Sequence, residues 1–120
     1  MPRISSSVLI IENDTPTLEL YRRELSQDYK VLTSLNEEDA LRLADAADLC
    51  AVVLEPAISG GEGWGLLSRL IAVLGERRVP IILCSTQDER RRGLKEGAAA
   101  FLVKPVLPVE LHEILHQIVG

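Results

Sequence analysis

Val8-Leu9-Ile10-Ile11-Glu12-Asn13-Asp14-Thr15-Pro16 is the stretch on which the fold turns. Four successive apolar residues, with no alternation, fit a short strand whose two faces are both covered. They run directly into an acidic turn. Asp14 or Thr15 can then cap a helix with Pro16 at its first position, where proline's missing N–H costs nothing. Leu18, Tyr21 and Leu25 supply that helix with an apolar stripe.

The same alternation continues to the end of the chain. Tyr29 to Thr33, Cys50 to Leu54, Val79 to Cys84 and Ala100 to Val103 are further short apolar runs. Between them lie helical patterns. One opens at Asn36 with Asp39 three residues on, and buries Ala40, Leu41, Leu43 and Ala44. Another runs from about Gly63 to Leu74, and a fourth from about Asp88 to Glu96 with Gly97 as its stop. The last starts at Pro108 and carries Leu111, Ile114, Leu115 and Ile118 at helical spacing. Five strands alternating with five helices imply right-handed crossovers and a parallel sheet with helices on both faces.

Composition agrees with one such α/β sandwich. The chain has 120 residues, 47% hydrophobic and 26% charged, which excludes disorder, collagen-like repeats and a disulfide scaffold. The net charge of −5 argues against direct nucleic-acid binding. The acidity is one-sided: residues 1–60 hold 5 basic and 11 acidic side chains, residues 61–120 hold 8 and 7. Cys50 and Cys84 lie in apolar runs and read as small core residues of a reducing compartment. No apolar stretch approaches the roughly 18 residues of a membrane span. The first seven residues show no apolar signal region, so a cytoplasmic location is expected and no membrane contact.

In an open parallel sheet, ligands bind at the carboxyl ends of the strands. Those ends carry Glu12-Asn13-Asp14, Glu55-Pro56, Ser85-Thr86 and Lys104-Pro105. Acids, a hydroxyl and an ammonium gathered on one edge suit a hydrated divalent cation or an acyl phosphate. A free nucleotide is disfavoured, because the first loop is acidic and has no glycine-rich cradle.

With Val79-Pro80-Ile81-Ile82-Leu83-Cys84-Ser85 and Gly97-Ala98-Ala99-Ala100-Phe101-Leu102-Val103-Lys104-Pro105, these segments resemble the receiver domain of two-component response regulators. The resemblance covers essentially the whole chain, so residues 1–120 read as a single receiver-like domain. It implies a flavodoxin-like three-layer (βα)5 sandwich with strand order 2-1-3-4-5, and a cis bond between Lys104 and Pro105. It also implies the family's chemistry: a histidine kinase passes a phosphoryl group to an aspartate after strand three, with Mg²⁺.

The match breaks where that chemistry lies. Glu12 keeps the first acid of the metal pair, but Asn13 stands at the second. Glu55 stands where the phospho-accepting aspartate is expected, and Ser59 replaces a proline ahead of Gly60-Gly61-Glu62-Gly63. Ser85 keeps the hydroxyl, Lys104 the lysine, and Phe101 the aromatic switch position without a phenol. An amide for a carboxylate weakens a site that holds Mg²⁺ by charged oxygens. One extra methylene, roughly 1.5 Å of bond, shifts the acceptor oxygen from in-line geometry.

The sequence therefore predicts a pseudo-receiver with a vestigial phosphorylation site of Glu12, Asn13, Glu55, Ser85 and Lys104. No metal or other cofactor is expected; Glu12, Asp14 and Glu55 are the weak candidates for Mg²⁺. A Glu55–Lys104 ion pair, with Ser85 as a hydrogen-bond partner, would take the place of metal and phosphate. Function would pass through protein contacts on the face of the fourth helix, fifth strand and fifth helix, where Arg90, Arg91, Arg92 and Lys95 cluster. A homodimer, a histidine kinase and an output domain are the candidate partners that the resemblance implies. The rival is a receiver still phosphorylated on Glu55, with Mg²⁺ held by Glu12 and Asp14. His112-Glu113-Ile114-Leu115-His116 also spells the zinc-protease pattern H-E-x-x-H, but with no third ligand downstream it reads as chance, its histidines facing solvent.

Overall fold

The structure is a computed structural model that describes residues 7–59 and 64–119. Gly60 to Gly63, and the first six residues, lie outside the described residues. Five strands, β1 (Ser7–Ile11), β2 (Lys30–Ser34), β3 (Leu49–Leu54), β4 (Ile81–Ser85) and β5 (Ala100–Val103), form one parallel sheet in the order β2-β1-β3-β4-β5. The helices between and after them are α1 (Thr15–Leu25), α2 (Glu37–Ala46), α3 (Trp64–Leu74), α4 (Arg90–Lys95) and α5 (Pro108–Val119). The flavodoxin-like order and the five alternating pairs agree with the sequence.

The strands' period of two sorts the core into two layers. Leu9, Ile11, Val52, Leu54, Ile81 and Leu83 face α2, α3 and their fully buried Leu66, Leu67 and Leu70. Val8, Ile10, Ala51, Val53, Ile82 and Cys84 face the other way, onto Leu18, Tyr21 and Leu25 of α1 and Leu111 and Leu115 of α5. Removing any of these leucines to alanine costs about 2–5 kcal/mol, because the site cannot collapse onto the gap.

Asp14 is the cap of α1, its carboxylate accepting from Thr17 N at 3.1 Å and from the Thr17 hydroxyl. Asn36 caps α2 through Asp39 N at 2.8 Å. Several boundaries move, β4 among them, which starts at Ile81 rather than Val79. Tyr29 N still donates to Leu25 O at 2.9 Å, which closes the turn after α1 and delays β2 to Lys30. Helix α4 starts at Arg90, two residues later than the sequence suggests, since Asp88 lies in the loop before it and its carboxylate meets Arg90 N at 3.4 Å. Gly97, at φ +112°, ends the turn after α4, as its position predicts.

Mid-helix Gly93 has a packing reason. A Cβ there would lie 2.7 Å from Phe101 Cδ2 and 3.0 Å from Leu83 Cδ1, so α4 sits on the sheet only because this residue has no side chain.

Candidate functional site at the carboxyl edge of the sheet

The edge is assembled by backbone ladder bonds that continue one residue past the strands. Glu12 N donates to Ser34 O (3.1 Å), Glu55 N to Ile11 O (2.9 Å) and Lys104 N to Ser85 O (2.7 Å). Each site residue is thereby seated on a neighbouring strand before its side chain makes any contact. The Lys104–Pro105 bond is cis.

Glu12 is 3% exposed and Glu55 7%, so both carboxylates have left water and need partners. Lys104 provides one for each. Its Nζ donates to Glu12 Oε1 at 2.6 Å and lies 2.8 Å from Glu55 Oε1. The second oxygens are also taken: Glu12 Oε2 accepts from Asp14 N at 3.1 Å, and Glu55 Oε2 from Ala57 N at 3.0 Å. A 3-10 turn over Pro56–Ser59 presents that last N–H. Burial would lower the lysine pKa, but the hydrogen bonds to Glu12 and Glu55 outweigh it and hold the ammonium above its ordinary range.

The sequence reasoning pairs Lys104 with Glu55 and adds Ser85. In the structure the Glu55 pair is present, but the lysine is shared with Glu12 as well, and the buried Ser85 hydroxyl accepts from Gln87 N at 3.1 Å. Asp14 turns away to Thr17, and those hydrogen bonds hold its carboxyl below the usual range. Asn13 is exposed.

An ammonium stands between the two buried carboxylates, each carboxylate oxygen accepts from one donor, and Asp14 is engaged as a helix cap.

Around the site, Tyr21 closes one side. Its buried phenol donates to Val106 O at 3.2 Å, which ties α1 to the loop after Lys104, and burial raises its pKa to about 12. Phe101, at the switch position, is buried against Gly93. Trp64 packs partly into the core with the Arg92 guanidinium 4.4 Å from its ring centre.

The arginine cluster is divided in its use. Arg92 binds Glu96 at 2.6 Å and lies 3.9 Å from Glu89, while Arg90 lies 3.6 Å from Asp88. Arg91 and Lys95 extend into solvent beside Leu94, 47% exposed.

The H-E-x-x-H histidines do not act as a pair. His116 is exposed, but His112 does not face solvent as expected. It reaches Glu24 and Asp28 across 88 and 84 residues of sequence, a separation at which no local pattern could have signalled it.

Comparison with known proteins agrees with this architecture. Residues 8–116 match the family model of the response regulator receiver domain. The transcriptional regulatory protein HprR of Escherichia coli is 31% identical over 102 residues, covering 82% of this chain and 44% of that protein. The response regulator PleD of Caulobacter vibrioides is 28% identical, covering 90% of this chain and 25% of its own length. The chain thus spans less than half of these curated relatives. A receiver domain protein from Methanospirillum hungatei superposes with a TM-score of 0.85 at 20% identity, over 96% of this chain and 94% of that one. Fold, strand order and family model converge: the chain belongs to the response regulator receiver domain family.

Proposed function

We propose that this chain is a pseudo-receiver: a two-component signalling module that works through protein contact without Mg²⁺-dependent aspartyl phosphorylation. The observation that carries this reading is Lys104 Nζ, at 2.6 Å from Glu12 and 2.8 Å from Glu55. The ammonium joins the acceptor position, Glu55, to the remaining acid of the metal pair, Glu12, and on this reading the ion pairs take the place of metal and phosphate. Contact with a second copy, a histidine kinase or an output domain then runs through α4, β5 and α5, with Arg91, Lys95 and Leu94 outward. We read residues 1–120 as one such module, in the cytoplasm. No helix among the described residues is long and apolar enough to cross a membrane.

The rival, Glu55 phosphorylation with Mg²⁺, has one point in its favour: two carboxylates share a single lysine, so the edge keeps an excess of negative charge. Trp64, the single tryptophan, begins the helix beyond the Glu55 loop and reports on both readings. Titration with Mg²⁺, then with beryllium fluoride or acetyl phosphate, should leave its emission and the intact mass unchanged. A saturable Mg²⁺ response with a phosphoryl adduct on Glu55 would replace the pseudo-receiver with the rival.

A further inference from the structure

His112, on α5, places Nδ1 2.8 Å from Glu24 Oε2 and Nε2 2.6 Å from Asp28 Oδ2. Glu24 belongs to the last turn of α1 and Asp28 to the bend after it. Both oxygens are carboxylate acceptors. A neutral imidazole has one N–H, so one of these short contacts would set two lone pairs against each other. Only the imidazolium, with an N–H on each nitrogen, satisfies both.

We propose that His112 is a proton-operated latch, which fastens α5 to the end of α1 when charged and releases it when neutral. The groups around it are of the right sign. Glu24 and Asp28 face it from α1 and its bend, and the Tyr29 ring meets it edge-on at 6.2 Å between centres. On its own helix, Glu113 and His116 share with it a groove of about 320 Å³, completed by Asp28, Val109 and Gln117, that gives solvent protons access. Strand β3, packed beneath α5, brings Cys50 as its one titratable residue. The hydrogen bond to Glu24 is the largest influence on His112. With Asp28 it outweighs burial, so the folded pKa lies above the ordinary 6.5. Leu111 and Leu115 seat α5 on the core in either state, so the latch sets how firmly the helix is held rather than whether it forms.

The latch is independent of the ion pairs at the carboxyl edge, and its ligand is the proton alone. Nitrogen-15 shifts of the His112 ring, followed across pH, test it. His112 should keep both ring nitrogens protonated above its ordinary 6.5. In the E24Q/D28N variant its midpoint should fall, and amide exchange along α5, corrected for pH, should rise severalfold. A His112 midpoint at or below 6.5 in the unaltered protein would overturn the proposal. So would a midpoint unmoved by the double substitution.

Discussion

Lys104 is the residue on which the carboxyl edge depends, and its two partners make the cost of losing each group unequal. In the Glu55→Gln variant Lys104 keeps Glu12, so the loss is of one charge-assisted bond in a largely buried place, about 1–3 kcal/mol. Lys104→Met leaves two buried carboxylates facing each other without a cation, and should cost about 3–5 kcal/mol. Urea midpoints of the two variants decide the order. Adding Glu12→Gln to Lys104→Met should recover part of the loss, because one uncompensated charge is then removed; no recovery would mean that the carboxylates are not the source of the penalty. These roles were partly legible. The strand-end positions of Glu12, Glu55, Ser85 and Lys104 follow from where apolar runs stop. That Glu12 competes for the lysine, and that Ser85 turns to Gln87, depends on side-chain directions that spacing does not encode.

Among the elements, α4 shows how tertiary packing overrules local preference. By propensity alone Gly93→Ala should stabilise a helix by roughly 1 kcal/mol. Here the added Cβ meets the Phe101 ring at 2.7 Å, and overpacking of this kind costs typically 1–3 kcal/mol. A lower thermal midpoint for Gly93→Ala is therefore expected, with recovery when Phe101→Leu gives the methyl room. The strands and the caps at Asp14 and Asn36 could be read from sequence because apolar runs and capping side chains are local signals. Helix α4 is legible too, between Asp88 and Glu96 with Gly97 as its stop, but its start at Arg90 and its seat against Phe101 are not, since its six residues are mostly charged and its position is set by a contact with β5.

Across the whole molecule, pH should act first through α5. A group whose folded pKa is raised adds stability that is complete below its unfolded value, near 6.5, and is lost as pH rises through the folded value. Unaltered protein should therefore exceed His112→Gln in urea midpoint at pH 5.5, and the gap should close on the alkaline side. A gap that widened toward high pH would contradict the sign. The buried thiol of Cys84, its pKa pushed up to about 12 by burial, offers a second global reading. It should resist alkylation in the native state while the partly exposed Cys50 reacts first.

The seat of Lys104 also bears on how the molecule keeps to itself in a crowded solution. Strand β5 is an outer strand of the sheet, four residues long, and its free side is a template on which a foreign strand could grow. The residue directly after it is moored by its ammonium to Glu12 and Glu55, which follow β1 and β3, nearer the centre of the sheet. An outer strand moored in this way cannot peel away without breaking two buried ion pairs. The lysine that fills the carboxyl edge thus also fastens an outer strand to the centre of the sheet.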